Sequence, residues 1–231
     1  MLDILRRGLA ELELDSSKAE TLAEFAHLVL ERNRVMNLTA ITDEAEFARL
    51  HLLDSAALLR AADFGGRRVV DVGTGAGFPG VPLRILCEDV ELTLLDSTGK
   101  RVAFLEEACR TLGLDGVRCV CARAEDFAAE ARESFDLAVS RAVAAAPMLC
   151  ELCLPLVRVG GQFVAMKSVR SDEELAGAAR AIETLGGKPP RLVDYTIPTS
   201  GVRRRAVVID KLRPTPKAYP RAFGQIKKRP L

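Results

Sequence analysis

The stretch Val69-Val70-Asp71-Val72-Gly73-Thr74-Gly75-Ala76-Gly77-Phe78-Pro79-Gly80 leaves few folds open to this chain. It reads as a buried β-strand, a glycine-rich turn and the start of a helix; a second strand, Leu92-Thr93-Leu94-Leu95-Asp96, ends on an acid. Glycines let backbone approach a ligand closely, and a carboxylate at the next strand's end is placed to bind both hydroxyls of a ribose. The pattern predicts a site for an adenosine-containing cofactor. The competing reading, a tight turn with no ligand, is weakened by the glycines themselves, which destabilise a turn that binds nothing.

Charge separates the candidate cofactors where spacing does not. Gly75-Ala76-Gly77-Phe78-Pro79-Gly80 satisfies G-x-G-x-x-G, and Asp96 lies close to where a dinucleotide-binding protein carries its acid. A dinucleotide, however, presents an anionic pyrophosphate to this loop, and Asp71 stands two residues before Gly73. S-adenosylmethionine has no phosphate; its sulfonium and ammonium suit a loop flanked by Asp71 and Asp96. We expect S-adenosylmethionine, with a dinucleotide as the alternative.

Beyond the loop the chain alternates. Residues 1–65 read as helical: Ser17-Lys18-Ala19-Glu20 has the form of a capping box before Leu22, Phe25, Leu28 and Val29, and a second helix spans about 42–61 with Phe47, Leu50, Leu53 and Leu58. Gly65-Gly66 marks a boundary. Strands are expected over 68–72, 91–96, 117–121, 135–140, 160–166, 190–197 and 204–210, with helices opening near Pro79, Gly99, Ala124, Ala144 and Ser171. The fold class is α/β, a Rossmann-like seven-stranded and mostly parallel sheet whose ligand lies at the strands' carboxyl ends. The last two strands lack an intervening helix, so the final strand is expected to be antiparallel. The domains are then a helical cap (1–65), a Rossmann-like domain (66–210) and a tail (211–231).

At 231 residues and 48% hydrophobic content the chain can bury a sizeable core. No apolar run approaches the ~20 residues of a membrane span, and Asp3, Glu11 and Glu13 do not suit a signal peptide. A cytoplasmic protein with no membrane association is expected. Cys119, Cys121, Cys150 and Cys153 read as core residues; His27 and His51 do not complete a zinc pattern, so no metal is expected.

The overall charge of +1 hides an asymmetry. From Arg203 onward ten basic residues face one acid, Asp210, a net +9 that leaves −8 for residues 1–202. The last twenty residues carry Pro214, Pro216, Pro220 and Pro230, so an extended tail and not a helix is expected there, suited to a polyanion such as RNA or else merely solubilising.

Strand ends deliver the candidate site: Asp71, Gly73, Gly75 and Gly77 from the first strand and its turn, Asp96 and Ser97 from the second, Ala124 and Glu125 after the third, Arg141 from the fourth and Lys167 after the fifth. Asp96 is read as the ribose ligand, Ala124 and Glu125 as adenine contacts, and Phe78 as packing on the cofactor. Nucleobase amine methyltransferases commonly carry an Asn-Pro-Pro-Tyr motif at the fourth strand end, where this chain has Ser140-Arg141-Ala142. Arginine stays protonated and cannot act as a base. The acceptor is then an atom with a free lone pair and no proton to lose, such as N7 of guanine, with Arg141 as a positioning group.

Asn33-Arg34-Val35-Met36-Asn37-Leu38-Thr39-Ala40-Ile41, His51-Leu52-Leu53-Asp54-Ser55, the glycine loop, Leu95-Asp96-Ser97, Lys100-Arg101 and Ser140-Arg141-Ala142 together resemble the RsmG (GidB) family of bacterial small-subunit ribosomal RNA methyltransferases, from about residue 30 to the end. Thr215-Pro216-Lys217-Ala218-Tyr219-Pro220-Arg221 resembles its longer-tailed members. The resemblance implies a class I S-adenosylmethionine-dependent methyltransferase acting on N7 of one guanine in 16S rRNA near the decoding centre, on naked rRNA or the small subunit. It implies cofactor contacts at Gly73, Phe78, Ala124, Glu125 and Arg141. Asn37, His51 and Asp54 are expected to border the substrate; His51 and Asp54, three apart on a helix, form either a hydrogen-bonded structural pair or an RNA contact. Lys167 and Arg204 are candidates for RNA backbone contact, and a monomer is expected. A methyltransferase with another substrate, an NAD-type oxidoreductase and a nonenzymatic RNA-binding protein are the other readings, the last two opposed by Asp71 and by the intact loop with Asp96.

Overall fold

The computed structural model describes residues 1–141 and 143–231; Ala142, part of the Ser140-Arg141-Ala142 motif, lies outside the described residues. The chain opens with α1 (Leu2–Glu11) and α2 (Ala19–Met36), then a helical run made of α3 (Glu44–Phe47), a π-helical turn (Ala48–Leu53), α4 (Asp54–Ala56) and a 3-10 turn (Ala57–Arg60). The α/β unit follows: β1 (Arg68–Val72), α5 (Gly80–Leu86), β2 (Glu91–Asp96), α6 (Gly99–Thr111), β3 (Val117–Cys121), α7 (Ala124–Glu130), β4 (Phe135–Arg141), α8 (Ala146–Cys153), β5 (Val157–Ser168), α9 (Asp172–Thr184), β6 (Arg191–Thr196) and β7 (Arg203–Asp210). A short helix, α10 (Phe223–Lys228), lies near the carboxyl terminus.

The seven strands lie in the order β3-β2-β1-β4-β5-β7-β6. Pairs among β1 to β5 are parallel, and β7 runs antiparallel to both β5 and β6, as the missing helix between the last two strands implies. Alternation along each strand feeds two cores. Val69, Leu92, Leu94, Leu137 and Val139 pack with the amino-terminal helices, α5 and α6 on one face; Val70, Val72, Leu95, Ala138 and Phe163 pack with α7 to α10 on the other.

Several sequence expectations need correction. Ser17 does not cap α2: Asp15 accepts from the Ser17 amide at 2.9 Å and from its hydroxyl at 2.8 Å, so the cap belongs to a preceding 3-10 turn (Ser16–Lys18). The 42–61 segment is not one α-helix, because the π-helical turn interrupts it. Cys121 is exposed and Cys119 half-buried at the sheet edge, whereas Cys150 and Cys153 are buried.

The tail departs furthest from expectation. It is neither extended throughout nor detached, since α10 forms and residues 211–231 fold back along α7 and α8. Lys211 is 1% exposed, its ammonium donating to the carbonyls of Leu154 (2.6 Å) and Val157 (3.1 Å) and to the Thr215 hydroxyl (2.8 Å), with Glu133 Oε1 at 3.2 Å. Arg132 donates to the Thr215, Pro216 and Tyr219 carbonyls, and Arg221 grips the fully buried Glu151 through two nitrogens at 2.8 and 2.5 Å. Fixed φ at the prolines suits this irregular path, and partners distant in sequence supply the hydrogen bonds that a helix would have made internally. Lys211→Met keeps the volume but strands several buried acceptors, so urea unfolding is expected to show a loss of about 3 kcal/mol.

Candidate active site

Around the carboxyl ends of β1 to β5 two cavities collect ten of the expected site residues, while Asp71, Gly75, Gly77, Phe78 and Asn37 line neither. The first, about 170 Å³, is lined by Gly73 beyond β1, Asp96 and Ser97 from β2, and Ala124 and Glu125 at the start of α7. The second, about 440 Å³, brings together His51 and Asp54 from the amino-terminal helical segment, Arg141 from β4, Lys167 from β5 and Arg204 from β7.

Asp71 is the organising group of the glycine turn. It is fully buried, and its Oδ2 accepts from the Thr74 hydroxyl (2.7 Å) and the Gly80 amide (2.8 Å), tying both ends of the turn to β1. Burial raises its pKa to about 6, with Asp96 adding to the rise and the Thr74 and Gly80 hydrogen bonds and Arg141 opposing it. Among the described residues its Oδ1 has no hydrogen-bond partner. A buried carboxylate with one oxygen unengaged fits a cationic ligand and opposes a pyrophosphate.

Asp96, 5% exposed, joins the turn to β2: its Oδ2 accepts from the Gly75 amide at 3.0 Å and its Oδ1 from the Thr98 amide at 2.9 Å, with Arg101 Nη1 3.6 Å away. Each oxygen accepts one amide and has capacity for a further donor, and the side chain lines the first cavity. Gly77 sits at φ +100°, where an added Cβ would fall 2.9 Å from Phe25 Cζ and Val81 Cγ2, so it admits the cap against the turn.

Phe78 lies elsewhere than expected. It is 3% exposed inside an aromatic cluster, stacked on His51 (centroids 4.8 Å apart, planes 14° apart), tilted against Phe25 and edge-to-face with Phe47, and it does not line the first cavity. The Arg141 guanidinium stands 5.0 Å over its ring and donates to the Leu50 carbonyl at 3.2 Å. Phe78 thus joins the cofactor turn to Arg141. Ser140 fixes the neighbouring strand end by donating to the Val72 carbonyl at 2.8 Å.

His51 and Asp54 do not pair, because a π-helical turn takes residues three apart off a common face. His51 Nε2 meets Thr39 Oγ1 at 2.8 Å, while Asp54 accepts from the Tyr195 hydroxyl at 2.8 Å and lies 3.8 Å from Arg204 Nε. Burial, helped by Arg141, lowers the His51 pKa to about 3, so the ring is neutral; burial raises that of Asp54. Lys167 is tied to Glu174 (2.7 Å) and the Ala144 carbonyl (3.0 Å), and so is held inside the fold. Asn37 does not reach the second cavity. It is the left-handed carboxyl cap of α2, at φ 49°.

Sequence reading missed several residues here. Asn33 holds Thr39 through two hydrogen bonds, at 3.0 and 2.8 Å, and so sets the partner of His51; its place in the Asn33–Ile41 motif was the available signal. Tyr195 buttresses Asp54 from β6, and Arg123, Val143, Leu152 and Phe223 complete the first cavity. Arg123 and Val143 neighbour the predicted Ala124 and Arg141 in sequence, whereas Tyr195, Leu152 and Phe223 arrive from other elements that no short-range pattern links to the site.

The sheet order, the acid-anchored glycine turn and the acid ending β2 define a class I S-adenosylmethionine-dependent methyltransferase. Solved structures agree in fold: TrmN from Thermus thermophilus (TM-score 0.51, 25% identity, covering 68% of this chain and 48% of that one) and a SAM dependent methyltransferase from Aquifex aeolicus (TM-score 0.50, 18% identity, covering 70% and 92%). The family model GidB, rRNA small subunit methyltransferase G, matches residues 18–202, and the chain belongs to that family. Proteins named Ribosomal RNA small subunit methyltransferase G from Clostridium botulinum (strain Kyoto / Type A2) and Clostridium perfringens (strain 13 / Type A) are 42% and 43% identical, covering 99% and 95% of this chain and 98% and 93% of their own lengths.

Asp71→Asn keeps the loop's hydrogen-bond acceptor and removes the charge. A carboxylate whose folded pKa is raised from 3.8 to about 6 stabilises the fold most below pH 3.8, and that contribution is lost as pH rises through 6. In urea unfolding without ligand the variant is therefore expected to gain about 2 kcal/mol on the wild type between pH 4.5 and pH 7.5. Calorimetry at pH 7.5 is expected to show it losing most of its affinity for S-adenosylmethionine.

Proposed function

We propose that this protein transfers a methyl group from S-adenosylmethionine to N7 of a guanine in small-subunit (16S) rRNA near the decoding centre. The observation that carries the choice of acceptor is that, among the described residues, the side chains lining the second cavity leave none free to act as a base at neutral pH. Its imidazole, His51, is buried with a pKa of about 3, its Asp54 is engaged by Tyr195 and Arg204, and its Lys167 is held by Glu174. Guanine N7 has a lone pair and no proton to lose, so methylation there needs no base. When bound, S-adenosylmethionine supplies an electrophilic methyl group on a sulfonium sulfur that leaves as a neutral thioether.

The chain's own residues then bind and align. Asp71 neutralises positive charge beside the turn, Asp96 holds the ribose hydroxyls, and Gly73, Gly75, Ser97, Ala124 and Glu125 shape the adenosine side. Arg141, fixed by Leu50 and Phe78, stands at the second cavity and orients the guanine or an adjoining phosphate; Arg204 at its rim meets RNA backbone. Alignment of this kind is worth roughly 7–11 kcal/mol of barrier when reacting atoms are held in line. No helix of the described residues is long and apolar enough to cross a membrane, and no group of three or more His, Cys, Asp or Glu side chains among them is placed to hold a metal ion. The reading has the enzyme in the cytoplasm, working as a monomer on the small subunit or its naked rRNA.

Small subunits from a strain lacking the modification, incubated with the protein and labelled S-adenosylmethionine, are expected to become susceptible to borohydride and aniline cleavage at a single guanine. Label without that cleavage would move the acceptor to another atom, and no label in subunits or free rRNA would remove the rRNA reading. Because no base is used, the rate at saturating cofactor is expected to be flat from pH 7 to 9, and Arg141→Ala to lower kcat about 100-fold at unchanged pH dependence.

A further inference from the structure

The first cavity has a wall that does not come from the Rossmann-like unit. Phe223, the first residue of α10, lines it together with Asp96, Ser97 and Ala124, more than eighty residues later in the chain. The ring is half-buried, and the Arg123 guanidinium lies 5.0 Å from its centroid, so the aromatic face is held by a cation that itself lines the cavity.

The segment that carries Phe223 is fixed on both sides. Two residues earlier, Arg221 donates from its backbone amide and two side-chain nitrogens to Glu151, which is fully buried in α8 beside Leu152, another lining residue. Three residues later Ile226 is fully buried in the core formed with α7 and α8. A buried carboxylate left without its guanidinium would be strongly destabilising, so this anchor defines where α10 can sit. The basic residues of the tail that are anchored in this way face the protein interior.

We propose that Phe223 is a cofactor-positioning residue, packing its ring on the adenine of S-adenosylmethionine, and that the carboxyl-terminal segment from Arg221 is part of the cofactor site. The inference rests on the S-adenosylmethionine reading of the first cavity. Purine rings have flat, apolar faces that stack on aromatic side chains, and an aromatic anchored by a buried ion pair offers that surface with little entropy to lose.

The test is calorimetric titration of S-adenosylhomocysteine into the full chain and into Phe223→Ala, Phe223→Trp and a chain ending at Arg221. Small-subunit methylation is measured in parallel at saturating cofactor. Phe223→Ala is expected to raise Kd about 10-fold, Phe223→Trp to hold it within about 3-fold of wild type, and the truncation to match or exceed the alanine effect. The KM for small subunits should stay unchanged in Phe223→Ala. Wild-type Kd in Phe223→Ala would overturn the proposal, and a truncation that raises only the KM for subunits would make the segment an RNA arm instead. Failure of the wild-type chain to bind S-adenosylhomocysteine while binding NAD would remove the cofactor reading itself, an outcome distinct from either.

Discussion

The buried carboxylate of Asp71 is the constraint on which the site depends. Taking an ionised carboxylate out of water is unfavourable by several kcal/mol unless hydrogen bonds and charge offset it. Here one oxygen is satisfied by Thr74 and Gly80, and the offset is incomplete, as a pKa near 6 records. The residual strain has a structural return, because those two bonds set the width of the turn that the cofactor must meet. Gly80 cannot be anything larger: a Cβ there would come within 2.8 Å of the Asp71 oxygen and 2.6 Å of Leu94 Cδ2. Glycine and acid are therefore one device, the first giving room for the second to reach.

That device is coupled to the acceptor side through packing. Phe78, carried by the same turn, lies under His51 and Arg141, while Phe25 of the cap presses against Gly77. The cap and turn thus share an aromatic core, and Arg141 is positioned by contact with both. A neutral His51 is what such a core requires, because a charged imidazole stacked on Phe78 beside a guanidinium would be repelled and desolvated together.

What the sequence made legible follows from the range of each interaction. Strands β1 to β5 and the direction of β7 were readable because short apolar runs bounded by turn residues and short connections are local facts. The positions of Asp71 and Asp96 near the carboxyl ends of β1 and β2 were readable because each follows from its own strand whatever the remaining chain does. Spacing alone leaves open whether His51 and Asp54 pair, because a π-helical turn has no clear local signature, and both turn to partners, Thr39 and Tyr195, that only the fold brings near. The tail was misread for the same reason: four prolines forbid a long helix, yet nothing local announces that Glu151 waits seventy residues earlier for Arg221.

The charge asymmetry of the chain changes meaning once these pairings are drawn. Of the cations beyond Arg203, Arg205 is held by Asp194 and Asp172, Lys211 is buried against carbonyls and Glu133, and Arg221 neutralises Glu151. These three stabilise the fold and have little field left for a polyanion. Lys217, Lys227, Lys228 and Arg229 remain exposed, three of them clustered at the end of the helix that begins with Phe223. A basic cluster just beyond an anchored aromatic can meet RNA phosphate without unfolding the tail, since the anchor and the exposed charges are different residues. The same short segment can therefore serve the cofactor on its inner side and RNA on its outer side, and salt, which screens exposed charges far more than buried pairs, should weaken only the second.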